Sequence, residues 1–180
     1  MIEKQPPGWS AHSELGEVQH QIGEIWSVSG DLKRAVAAYE EAVSLQRLVV
    51  ESSPMQTEPR QRLVRHPKAV SVIHRQLGQL QLAVDAIAEV QQLAPADPDQ
   101  VYWSAVQFAP CFAALDSQPI GDKDAMRTKL VELTVVALRH ACDVGFDRID
   151  DLNLAPEFDS IRDRPQFEEC LASLSPRDLR

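Results

Sequence analysis

Residues able to do chemistry are few in this chain, and they lie far apart. Histidines stand at His12, His20, His66, His74 and His140. No two are four apart on one predicted helix, the spacing that would aim two imidazoles at one metal ion. His74 falls in an aromatic slot between helices and reads as a core residue with one hydrogen bond. Cys111, Cys142 and Cys170 are separated by 31 and 28 residues. That is neither a disulfide framework nor a zinc pattern; free thiols of this kind pack as small hydrophobes. The sequence has no Gly-rich phosphate loop, no Gly-x-Ser-x-Gly and no His-Glu-x-x-His. The His-Arg-Asp and Asp-Phe-Gly stretches of a kinase are missing as well. These absences predict a chain that is not an enzyme and holds no cofactor and no metal.

Charge carries more information. Eighteen basic residues against 27 acidic ones give a net charge of −9 over 180 residues. A phosphate backbone or an anionic membrane must be met by a basic surface, so neither nucleic acid nor membrane is expected as a partner. Between Arg60 and Val84 there are five basic residues, Arg60, Arg62, Arg65, Lys68 and Arg75, and no acid. Between Ala141 and Cys170 there are nine acids and three arginines, a net of −6. Each run reads either as a solvated face or as a surface that steers a partner. The segment from Met1 to Gly8 is polar with two prolines. It lacks the apolar stretch of a signal peptide, and no run of about 18 apolar residues exists, so a cytoplasmic location is expected.

The elements that must position these residues are helices. Apolar residues recur mostly three and four apart, as at Val36, Tyr39, Val43 and Leu48 and at Leu80, Val84, Ile87 and Val90. Prolines cluster between such segments and punctuate them. The pattern predicts main helices over 11–29, 31–52, 66–77, 79–94, 98–114 and 123–144. Shorter pieces follow near 156–162 and 165–174. Asp97 and Asp122 are expected as N-caps, Pro110 should kink or end the fifth helix, and 53–63 and 115–122 should be the mobile loops.

Two segments repeat at an offset of 48: Gly30, Leu32 and Ala35 match Gly78, Leu80 and Ala83. In the first unit Ile22, Gly23, Trp26, Ala35, Tyr39 and Ala42 fall at the small and large positions of a helical hairpin. In the second, Val70, Ser71, His74, Ala83, Ile87, Val90 and Pro95 fill the same places. This spacing resembles the tetratricopeptide repeat. A third unit opens with Val101, Tyr102 and Trp103 and runs through Leu138, Ala141, Gly145 and Phe146. The run Ala155, Pro156, Glu157, Phe158, then Ile161, Arg162, Pro165 and Phe167 is similar to the C-terminal end of tetratricopeptide arrays in planctomycete-like bacterial proteins. Such arrays are often attached to serine/threonine kinase or WD-repeat domains.

The resemblance implies an all-α, TPR-like α-solenoid of about three helical hairpins with a C-terminal helical cap. Residues 1–10 would be a disordered N-terminal tail, 11–150 the array, and 151–180 the capping segment and tail. Leu152, Leu154, Phe158, Ile161, Phe167 and Leu171 would supply the apolar patch that covers the last hairpin. The first helix of each hairpin would line a concave groove carrying Glu17, His20, Glu24 and Ser27, then Arg65, Lys68, Val72 and Arg75, then Asp99, Tyr102 and Val106. His20, Glu24, Arg65, Lys68, Arg75 and Tyr102 are the implied partner-binding residues. The function implied is a protein–protein interaction module that binds a peptide or partner domain, one of acidic character if Arg65, Lys68 and Arg75 receive it. The alternative is a non-catalytic regulatory or self-associating appendage of a kinase signalling protein. In that case a homodimer would join the basic strip of one copy to the acidic 141–170 segment of another.

Overall fold

The computed structural model describes residues 9–53, 55–117, 121–148, 152 and 154–174. These residues form seven α-helices and, among them, no strand: α1 (Trp9–Ser29), α2 (Leu32–Ser52), α3 (Thr57–Gln76), α4 (Leu80–Leu93), α5 (Pro98–Ala114), α6 (Lys123–Asp143) and α7 (Pro165–Leu174). Short 3-10 turns sit at Leu115–Ser117 and Pro156–Phe158. No helix among the described residues is long and apolar enough to cross a membrane. Of the expected N-terminal tail, residues 1–8 lie outside the described residues, and α1 has already begun at Trp9.

The chain separates into two compact units, Met1–Leu93 and Ala94–Arg180. In the first, α1 packs on α2, α2 on α3 and α3 on α4, and α1 also touches α3. Glycine sets the turns. Gly30, Gly78 and Gly145 have φ of 83°, 74° and 110°, a left-handed region that costs other residues strain. Each follows a helix and closes it in the same way. The amide of Gly30 donates to Ser27 O and that of Asp31 to Trp26 O, at 3.1 and 3.0 Å. Gly78 and Gln79 repeat this on Arg75 O and His74 O, and Gly145 and Phe146 on Cys142 O and Ala141 O. The paired bonds satisfy carbonyls that a helix end otherwise leaves orphaned.

Burial recurs at the 48-residue offset. Ala35 and Ala83 are fully buried, as are Ala42 and Val90, and Tyr39 and Ile87 are both nearly so. The core of this unit joins Ala35, Tyr39 and Val43 of α2 to Leu63, Val70 and Ile73 of α3 and Ala86 of α4. Between α1 and α2 the approach is closest at Gly23. A Cβ there would stand 2.7 Å from the Tyr39 ring, nearer than packed carbons tolerate. At Gly16, two turns earlier on the same face, an added Cβ would meet Ala42 O at 3.5 Å, an ordinary contact.

The third helix departs from expectation. It begins at Thr57, not near residue 66, and takes up most of the supposed loop 53–63. Pro59 lies in its first turn, where no N–H is needed, so it does not break the helix. Pro67 lies inside the helix, and the chain accepts it because the surrounding turns are buried: Pro59, Leu63, Val64, His66 and Pro67 all pack inward. Gln46 of α2, 1% exposed, donates from Nε2 to Pro59 O at 3.1 Å and ties down the early turn. Pro110 likewise does not end α5, which runs four residues further to Ala114.

In the second unit α5 packs on α6, α7 packs on α6, and the Pro156–Phe158 turn packs on α5. Asp97 and Asp122 cap α5 and α6: Asp97 accepts from the amides of Asp99 and Gln100, and Asp122 from that of Ala125. The expected helix at 156–162 is a 3-10 turn followed by further turns. Leu152, Phe158, Ile161 and Phe167 are fully buried, with Phe158 and Phe167 rings 5.3 Å apart. Leu154 is not part of that patch; it is 85% exposed. Residues two apart on a helical backbone point to different sides, so Leu152 and Leu154 cannot both face inward.

Gly23→Ala is expected to destabilise the chain by about 1–3 kcal/mol, because the methyl group must displace the Tyr39 ring. Gly16→Ala should instead stabilise it, by up to about 1 kcal/mol, since it gains helix propensity without a clash. Urea unfolding of both variants measures this; equal midpoints would mean that Tyr39 does not lie on α1.

Candidate functional site

The polar residues of the first unit converge where α1 meets α3. Ser13, Glu17, His20 and Glu24 recur every three or four positions along one side of α1. Arg62, Arg65 and His66 of α3 meet them. Arg62 Nη1 donates to Ser13 Oγ at 3.3 Å, and Arg65 Nη2 donates to Glu17 Oε1 at 2.8 Å. Arg65 Nε donates to His20 Nε2 at 3.1 Å, and the Nδ1 atoms of His20 and His66 are 3.0 Å apart.

This pattern dictates the protons. An arginine only donates, so His20 Nε2 must be the bare, accepting nitrogen. The proton of His20 then sits on Nδ1 and is donated to His66 Nδ1, which must also be bare. Both rings are therefore neutral, and the proton of His66 is on Nε2. Glu24 Oε1 lies 3.6 Å from His20 Nε2, beyond hydrogen-bond distance, and with no proton there it makes no ion pair. The rings of His20 and Tyr39 pack with centroids 5.0 Å apart, which brings α2 into the cluster.

Electrostatics follow the burial. His20 and His66 are 4% and 2% exposed. Burial, then the positive charge of Arg65, depresses the pKa of His20 against the pull of Glu24 and Glu17. Burial, then His20 and Arg65, lowers His66 further, to about 4. Burial alone would raise Glu17, but the hydrogen bond and charge of Arg65 outweigh it and leave the carboxyl below its ordinary value. Burial, then Glu24, raises Tyr39. The cluster is a set of mutually satisfied groups joining two helices.

Of the residues expected to line a groove, the structure brings His20, Glu24 and Arg65 together. His20 is enclosed and is not presented to a ligand, and the guanidinium of Arg65 is engaged by Glu17 and His20. Lys68 and Arg75 are half-buried on the same side of α3 as Arg65. Tyr102 belongs to the second unit. There it stacks on Phe146, with centroids 4.2 Å apart, and Arg148 lies over the other ring of that pair while bonding Asp99.

A different surface is open in the first unit: a groove bounded by α2 and α4 with α3 as its floor. Val43, Pro67, Val70 and Ala86 give it apolar walls, and Glu40, Asp85 and Glu89 line its edges. Arg47 bonds Glu89 from one wall to the other. His74, buried in the floor, donates from Nδ1 to Gln79 Oε1 at 2.7 Å, and its Nε2 is 3.6 Å from Glu40. The one expected hydrogen bond of His74 is thus present. The floor residues Pro67, Val70 and His74 lie on the side of α3 away from Arg65.

The cysteines are all free, and Cys111 and Cys170 are buried. Burial raises the thiol pKa of Cys142 and, against the opposing effect of Arg139, that of Cys170. Raised thiols are poor nucleophiles at neutral pH. No cluster of three or more metal-ligating side chains occurs among the described residues. No family model matches this chain, and neither a curated protein nor a solved structure is similar to it.

The His20–His66 contact joins residues 46 apart, and no local pattern announces it. It has a measurable consequence. Both imidazoles bind protons less readily folded than unfolded, so the unfolded state takes up protons first as the pH falls below 6.5. Stability should be lost from there down to about 4, and for His66 alone the gap corresponds to about 3 kcal/mol. Urea midpoints taken from about pH 7 to about pH 4.5 should fall more steeply for the wild-type chain than for His66→Gln. Parallel curves would show that the pair carries no linked proton uptake.

Proposed function

We propose that this chain is a non-catalytic protein-interaction module of tetratricopeptide type, whose helical hairpins receive a segment of another protein. The observation that carries the reading is the recurrence, 48 residues apart, of one hairpin: the same glycine closure and the same buried positions in α1–α2 and α3–α4. Repeated hairpins present extended surfaces built from side chains at fixed spacing, and such surfaces suit peptides.

The partner surface in this reading is the groove of α2, α3 and α4. The basic side of α3 was expected to take an acidic partner, but Glu17 already occupies Arg65. The α2–α4 groove has the opposite sign, with three carboxylates and one guanidinium around apolar walls. It fits a peptide with an apolar anchor flanked by Lys or Arg. Exposed charge contacts contribute only about 0.2–1 kcal/mol each, so the anchor supplies most of the affinity and the charges supply selectivity.

Selection from a random peptide library on the full chain should return a consensus of basic residues around an apolar one. Binding of that peptide should weaken several-fold in Glu40→Lys and in Asp85→Lys and be unchanged in Lys68→Glu. No consensus, or a consensus lost with Lys68→Glu and retained with Asp85→Lys, would overturn this assignment of the surface.

A further inference from the structure

The first helix is inside out. Its inward side carries Ser13, Gly16, His20 and Gly23, all buried against α2 and α3. Its outward side carries Leu15, Val18, Ile22 and Ile25. Leu15, Val18 and Ile25 are 46, 48 and 65% exposed, Ile22 is half-buried, and Val28 beside them is 91% exposed. Large apolar side chains normally face the core and small polar ones the solvent. Here the core side is small because Tyr39 and α3 approach closely, and the apolar residues are left on the other side.

The spacing of that outward stripe is specific. Leu15, Val18, Ile22 and Ile25 follow one another by three, four and three, the a and d positions of a heptad, with Ala11 before and Ser29 after at the same register. A stripe confined to a and d is the seam of a coiled coil, narrower than the apolar face of a helix that lies on a globular core. The flanking e and g positions are His12, Glu14, Gln19, Gln21, Trp26 and Val28. Charges at those positions are what select a foreign partner helix, and only Glu14 carries one. What remains is a register that is complementary to itself.

We infer that α1 is a dimerisation helix: two copies of this chain pair their α1 helices antiparallel through Leu15, Val18, Ile22 and Ile25. Antiparallel pairing about a two-fold axis near residue 20 sets Val18 against Ile22 of the second copy and Leu15 against its Ile25. The flanks then bring Gln19 to Gln19, Gln21 to Gln21 and Glu14 to Val28, with no like charges opposed. Parallel pairing would instead align the two helix dipoles side by side. The seam from Leu15 to Ile25 spans about 15 Å of helix. That is less than the roughly 800 Å² per partner of a tight complex, so the dimer belongs to the micromolar, concentration-dependent class. The groove of α2, α3 and α4 uses no residue of α1, so each dimer carries two such grooves and gains avidity for a partner with two copies of its motif.

The pairing is apolar in a chain of net charge −9, so salt screens the repulsion between copies and strengthens the dimer. A dimer made by the basic strip on the acidic 141–170 segment would respond to salt in the opposite direction. Sedimentation velocity of the full chain, from about 1 to about 200 µM at low and high salt, separates these outcomes. The expected result is a reversible monomer–dimer equilibrium, tighter at high salt, abolished in Val18→Glu/Ile25→Glu with the circular-dichroism spectrum unchanged. Both substituted side chains are exposed in the monomer, so the variant keeps its fold. In a mixture of Val18→Cys and Ile22→Cys chains, the crossed disulfide should form faster than either symmetric one. A chain monomeric throughout would assign the seam to another protein and overturn the inference. A dimer that survives the double Glu substitution or dissolves in salt would overturn it equally. Each result is independent of whether the groove binds peptides.

Discussion

Everything in the first unit follows from the missing side chain at Gly23. With no Cβ there, the ring of Tyr39 lies directly on α1, and α1 and α2 approach closely. That proximity brings the Tyr39 ring onto His20. His20 in turn accepts from Arg65 and pairs with His66, so that three helices meet around one imidazole. A larger residue at 23 would push α1 outward and separate the hydrogen-bonded groups. Buried polar groups left without partners are far more costly than the same groups paired, which makes this contact intolerant of small displacements.

The same constraint encloses the polar cluster of the first unit. A cluster of two histidines, an arginine and a glutamate resembles acid–base machinery when read as a bare inventory. The geometry shows each group occupied by another: Arg65 holds both Glu17 and His20, and His20 holds His66. Burial depresses both imidazoles, which keeps them neutral and suits them to a structural relay. The partner surfaces we propose lie elsewhere, in the groove whose carboxylates rim apolar walls and on the outward stripe of α1. The first has mixed walls suited to a peptide; the second has the regular period suited to another helix.

The second unit is assembled differently from related parts. α6 ends in the glycine closure that ends α1 and α3. Beyond it the chain folds back, and Leu152, Phe158, Ile161 and Phe167 enter the core beside α5 and α6. Ser160 Oγ donates to Ala109 O at 3.3 Å, and Arg162 bonds both Ala155 O and Asp159. A run of turns replaces a full helix here because the proline at 156 and the one at 165 bracket too short a segment for a stable helix.

Local and periodic features are legible in the sequence alone. The three-and-four spacing of apolar residues determined the helices, Asp97 and Asp122 determined where two of them start, and the glycines at 30 and 78 determined where hairpins turn. These depend on neighbours within one or two turns, which is the range over which sequence acts alone. Tertiary structure decided what the remaining residues do. Pro59 read as a break and 53–63 as a loop, yet α3 starts at Thr57 and runs through Pro59 and Pro67 because Gln46 and the core hold its early turns. Arg65 read as an open charge and is engaged by α1; His20 read as a groove residue facing a partner and is buried. Conversely, Leu15 and Ile25 are apolar yet face outward, because the close contact at Gly23 turned the small side of α1 inward. The pairings of α1 with α3 join residues more than 40 positions apart, and only the packed chain determines which of them meet.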